Sequence, residues 1–155
     1  MNRSESLFLA VFMPGVALAF LIPPVVFVLT ALFVDMSLAE SLRAVAAQFG
    51  AERHPLLGAA ILGTLPVVVL TLVGWLLARK LDKLRVRAIA QAGLVGIALV
   101  LVWVNVEFWP GYLPDRTFLG FPHGLEFIIG PVFFAPPAML MAMLAAWFAT
   151  RPPAE

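Results

Sequence analysis

Cysteine is missing from all 155 residues. Its absence excludes disulfides, thiolate metal sites and cysteine nucleophiles. Charge is nearly as scarce: Asp, Glu, Lys and Arg make up 12% of the chain, and the formal net charge is +1. That balance is too small to draw the chain to nucleic acid, and the charges fall in short segments rather than along a stripe. No phosphate-binding loop, nucleophile elbow, His-Glu-x-x-His motif or dinucleotide fingerprint is present. No motif therefore implies an enzyme or a cofactor.

What is abundant is hydrocarbon. Apolar residues reach 63%, and the mean hydropathy is +1.02. A soluble core of this size has no room to hide so much apolar surface, and lipid is the solvent that tolerates it. Four stretches stand out: Leu7–Val34, Leu56–Ala78, Ala88–Val106 and Phe127–Ala149. Each meets or exceeds the roughly 17–25 residues that cross about 30 Å of hydrocarbon. Lipid offers the backbone no hydrogen bonds, so spans of this length are helices. The short alternating segments of a strand barrel are absent from the sequence. The expected fold is all-α: a single membrane domain over residues 1–155, built as an integral membrane four-helix bundle. The first stretch is longer than a signal-peptide apolar region, and no small-x-small cleavage site follows it. It is expected to be retained.

Prolines interrupt three of the spans: Pro14, Pro23 and Pro24 in the first, Pro66 in the second, and Pro131, Pro136 and Pro137 in the fourth. A kink or break is expected near the Pro23–Pro24 pair, because each proline removes a backbone donor. Broken helices can mark ion sites in transporters. The plainer reading, that neighbouring helices restore the lost bonds, is the one preferred.

Basic residues set the expected orientation. The connector 79–87 carries Arg79, Lys80, Lys83, Arg85 and Arg87, while Arg3 precedes the first span and Arg151 follows the last. Seven of the ten basic residues thus share one side, leaving Arg43, Arg53 and Arg116 on the other. The positive-inside rule makes the richer side cytoplasmic, with both termini on it. The expected location is the inner membrane of a bacterium, the source suggested by an Ala-, Leu- and Val-rich composition.

The outer loops, 35–55 and 107–126, differ from each other. The first opens with Ser37-Leu38-Ala39-Glu40, a capping-box pattern. Leu38, Leu42, Val45, Ala46 and Phe49 follow at helical spacing, and Gly50 offers a stop. A short amphipathic helix lying on the membrane surface is expected there. The second loop alternates Trp, Tyr and Phe with Pro and Gly, which suits the headgroup level.

Candidate chemistry gathers at this outer face. Glu107 and Glu126 close the ends of spans three and four, with Asp115, Arg116 and His123 between them. Such groups can bind cations, relay protons or hold a metal. The plainer alternative, an interfacial charge network, carries more weight, because interfacial groups avoid most of the desolvation cost. His54 and His123 are the only histidines and sit at helix entrances, a poor arrangement for haem, whose axial ligands lie within a bundle. Met139 and Met143 share a helix face while Met141 opposes them, so packing is a better reading than copper. The spans hold no carboxylate, Lys or Arg; their polar content is Thr30, Thr64, Thr71, Gln91 and Asn105. Small residues recur instead, at Gly58, Ala59 and Gly63 and at Ala92, Gly93 and Gly96, faces that let helices approach closely. Laid over each other at an offset of 72 residues, spans two and four align Gly58 with Gly130, Trp75 with Trp147 and Arg79 with Arg151. Spans one and three give no comparable match.

From Arg85 to Arg151 the chain presents a Trp-containing helix, an outer loop, then Gly120-Phe121-Pro122-His123-Gly124-Leu125-Glu126-Phe127 entering a helix with a basic end. This stretch resembles the two-helix small subunit that accompanies some bacterial sodium/solute symporters, whose loop is similar to Gly-Phe-Pro-x-Gly followed by aromatics. The resemblance covers under half of the chain, which departs from that family in its two extra spans and its Pro-rich last helix. It implies an accessory role beside a larger transporter and transfers no catalytic residue. The expected function is accordingly a non-enzymatic accessory subunit of a larger membrane transporter or complex. Two alternatives stay open. One is a small self-associating transporter or channel. The other is the membrane subunit of a redox or metal enzyme using Glu107, His123 and Glu126, or His54 with His123. The expected partners are the lipid bilayer and either a larger membrane protein or further copies of the chain.

Overall fold

The computed structural model describes residues 8–33, 35–50, 55–109 and 126–151. The described residues are helical apart from short turns, and the helices form the expected all-α bundle. A π-helical turn, Phe8–Phe12, leads into α1 (Met13–Phe33). The shorter α2 (Leu38–Gly50) follows, then α3 (Pro55–Leu77) and α4 (Lys83–Phe108). The last span consists of α5 (Glu126–Ile129), a second π-helical turn (Gly130–Phe134) and α6 (Ala135–Ala149). Four of these helices are long and apolar enough to cross a membrane: Leu9–Phe33, Leu56–Leu77, Lys83–Phe108 and Gly130–Ala149.

No break falls at Pro23–Pro24. α1 runs unbroken through both prolines, as α3 does through Pro66. The widened turns lie one step before Pro14 and before Pro136–Pro137. A proline ring presses on the carbonyl four residues back. For Pro14, Pro136 and Pro137 those carbonyls belong to Ala10, Val132 and Phe133, all inside the π-helical turns. Widening the helix there relieves the clash without breaking it.

α1 ends in a Schellman turn. Asp35 takes the left-handed conformation (φ 63°), Met36 N–H donates to the Ala31 carbonyl and Asp35 N–H to that of Leu32. The capping box then forms as the sequence predicts. Glu40 Oε2 accepts from Ser37 N–H at 2.9 Å and from the Ser37 hydroxyl at 2.6 Å, while Ser37 Oγ accepts from Glu40 N–H at 3.3 Å. One face of α2 packs on the bundle and leaves Leu38 and Leu42 of the expected apolar stripe outside. Ser41 is fully buried and Ala44 and Val45 lean on the core, whereas Leu38 and Leu42 are exposed. Ser41 can be buried because its hydroxyl donates to the Ser37 carbonyl at 3.0 Å.

The basic connector is shorter than expected. α4 starts at Lys83, capped by Asp82, whose carboxylate accepts from Arg85 N–H at 2.9 Å. Lys83, Arg85 and Arg87 therefore stand on the first turns of a helix rather than in a loop. α4 is also the centre of the bundle. It buries half of its most apolar stretch, against 17% for the last span.

The seam between α4 and α6 depends on small residues. A Cβ on Gly96 would lie 2.7 Å from the Ala138 carbonyl oxygen, and one on Gly93 would lie 2.7 Å from Leu70 and 2.8 Å from Met143. Gly63 sits in ordinary contact distance of Ala19 and Leu101. A Cβ on Gly58, expected at a packing face within the chain or against a partner, would meet no described atom within 4 Å. Met139 and Met143 are buried at the same seam and Met141 is exposed, so the methionine pair packs. The residues that align between spans two and four have different surroundings. A Cβ on Gly130 would meet Val104, whereas one on Gly58 would meet no described atom within 4 Å; Trp75 pairs with Arg79 and Trp147 with Arg85.

Candidate functional site

Of the expected outer cluster, the structure describes little. Glu107 is exposed on the last turn of α4, and Glu126 opens α5. Asp115, Arg116, His123 and His54 lie outside the described residues. Among the described residues no three His, Asp or Glu side chains come together as a metal site would require.

What the structure does assemble at that end is a polar pair sealed by rings. Asn105 and Trp109 stand one turn apart at the end of α4, both buried. The Asn105 amide N–H donates to the Leu101 carbonyl at 2.8 Å, and its Oδ1 accepts the Trp109 indole N–H, also at 2.8 Å. The Trp109 ring stands edge-on to Phe27 of α1 at 5.1 Å and to Phe108 at 4.9 Å. An amide without partners would be costly in an apolar interior. Here its own helix and a neighbouring indole satisfy it. In the sequence Asn105 stands out only as a polar residue within a span. The Asn-x-x-x-Trp spacing at a helix end was the signal that links the two.

The other polar span residues are satisfied in a similar way. Thr30 donates to Val26 at 2.8 Å, Thr64 to Ile61 at 2.6 Å and Thr71 to Val67 at 2.8 Å, each to a carbonyl one turn back. Among the described residues no buried side-chain polar atom lacks a hydrogen bond. Gln91 stands apart: it is exposed on the outer face of α4.

The opposite end of the bundle gathers the predicted basic residues. Arg79 lies over the Trp75 ring at 3.9 Å, Arg85 over Trp147 at 4.8 Å and Arg151 over Phe148 at 4.5 Å. Arg85 also reaches the Thr150 hydroxyl and the Trp147 carbonyl, each at 3.4 Å, and so ties α4 to the end of α6. Trp75 thus serves the arginine one turn after it, whereas Trp147 serves an arginine from another helix. Lys80, Lys83 and Arg87 are exposed at the same end. Rings that hold cations in this way suit a headgroup level, where one part of each side chain is apolar and the other wet.

Comparison with protein-family profiles, with characterised proteins and with solved structures finds no match to this chain. The reading of its function therefore rests on the arrangement just described.

Proposed function

We propose that the chain is a non-enzymatic accessory subunit of a larger membrane assembly, held in a bacterial inner membrane with both termini in the cytoplasm. One observation carries the reading. The buried polar residues of the described bundle are Ser41 and Asn105, and both close onto their own helix. Pumps and coupled transporters route ions or protons past buried ionisable groups. A bundle whose buried polarity is neutral and internally paired offers no such relay.

Two further observations support a partner and an orientation. The last span buries only 17% of its most apolar stretch within the chain, leaving most of it for lipid or a neighbouring protein. Six basic residues (Arg79, Lys80, Lys83, Arg85, Arg87 and Arg151) belong to the same end of the bundle, the pattern of a cytoplasmic face. The resemblance of the segment 85–151 to a symporter small subunit suggests a sodium/solute symporter as the partner.

Purification of the full chain from its native membrane in mild detergent tests this. The expected result is co-purification, in fixed ratio, of a distinct and larger membrane protein. A closed oligomer of this chain alone would point instead to a self-associating channel. A coloured or metal-containing sample would point to a redox or metal enzyme.

A further inference from the structure

One face of α4 changes character along its length in the order that a phospholipid does. Lys83, Arg87 and Gln91 are exposed and recur every four residues, so they stand in line on one face. The same line continues through Leu94, Ala98 and Val102. These three, with Val95, Leu99 and Leu18 of α1, line an open apolar groove of about 210 Å³. Among the described residues the Arg87 guanidinium and the Gln91 amide engage no partner. Arg79, Arg85 and Arg151, by contrast, are held against rings.

We propose that this face binds one anionic phospholipid. Its phosphodiester lies against Arg87 and Lys83, its ester carbonyls accept from the Gln91 amide, and one acyl chain fills the groove. Three arguments favour this occupant over a neutral lipid or a protein helix. Charge at the end of the groove is positive, matching an anionic headgroup. Gln91 sits one turn inside the charged level, where an exposed amide in hydrocarbon needs an acceptor and a lipid ester supplies one. The distance from Gln91 to Val102 is eleven residues, roughly 16 Å at helical rise, about half the thickness of the hydrocarbon layer. A single leaflet's chain fits that length. The site depends on this face of α4 being open to the bilayer, and not on which protein packs elsewhere on the chain.

Native mass spectrometry of the full chain, with phosphatidylglycerol and phosphatidylcholine of identical acyl chains, reads this directly. Phosphatidylglycerol is expected to be retained about fivefold over phosphatidylcholine, the factor that one basic side chain contributes at an anionic surface. Arg87→Gln should lower that preference, leaving what Lys83 alone supplies, and Arg87→Lys should restore most of it. Gln91→Leu should lower retention of both lipids, as should Val95→Trp, which fills the groove. Arg151→Gln, at the end of the span packed on the opposite face of α4, should leave the preference unchanged. Equal retention of the two lipids would overturn the proposal. So would equal losses in Arg87→Gln and Arg151→Gln, which would mean diffuse attraction to the basic end. A second protein helix found seated on this face would also overturn it.

Discussion

The two ends of α4 lie roughly 40 Å apart and are fastened in opposite ways. At Trp109 the chain buries its rings and closes an amide among them, so that shape and hydrogen bonding act together. At Arg85 it leaves charge at the surface and rests it on aromatic faces. Buried rings contribute through lost apolar surface and tight packing, and each is worth several times an exposed cation–ring contact. The first end fixes α1 against α4. The second holds the bundle at the level where hydrocarbon meets water, with less contribution to stability.

Perturbing the two ends should therefore give unequal losses. Trp109→Ala is expected to cost roughly 3–5 kcal/mol, measured by detergent-denaturant titration of the folded chain, because a fully buried indole is replaced by a cavity. Asn105→Leu should cost about 1–3 kcal/mol in the same titration, since it takes away the acceptor of a buried indole N–H. Arg85→Gln should cost about 0.5–1 kcal/mol, because its hydrogen bonds are long and its ring contact is only partly shielded. A larger loss from Arg85→Gln than from Trp109→Ala would reverse the ranking of the two ends.

The smallest effect belongs to the capping box. The hydroxyl of Ser37, and then its backbone N–H, hold the Glu40 carboxyl below its ordinary value of 4.5. A carboxyl with a lowered folded value stabilises above its unfolded value and loses that contribution as pH falls through the folded one. Hydrogen-exchange protection of the first turn of α2 should thus fade only below pH 4.5. In Glu40→Gln that protection should show no such fading.

The sequence made the spans legible because hydrocarbon leaves so little choice. Length and apolarity alone predict a helix, and α1, α3, α4 and α6 lie over the four expected stretches. The capping box at Ser37 was equally plain, because its bonds join residues three apart. What stayed hidden were choices made between helices. Gly58 and Gly96 look alike in sequence, yet a Cβ on the first would meet no described atom and one on the second a carbonyl of α6. Which face of α2 packs on the bundle depends on α1 and α3: Ser41 takes the buried place, while Leu38 and Leu42, expected on a stripe lying on the membrane surface, are exposed. The start of α4 at Lys83 was obscured because charge argued for a loop, whereas Asp82 supplied a cap that let the helix begin among the charges. The expected Glu and His cluster falls largely outside the described residues, and the Asn105–Trp109 pair is what the structure offers at that end.

The two ends of α4 take these roles with a bilayer between them. Accessibility reporters placed after Leu81 and after Asp115 measure this most directly. Opposite compartments are predicted, with the Leu81 reporter in the cytoplasm. Finding both reporters on one side of the membrane would contradict the four-span arrangement and the anchoring roles assigned to Arg85 and Trp109.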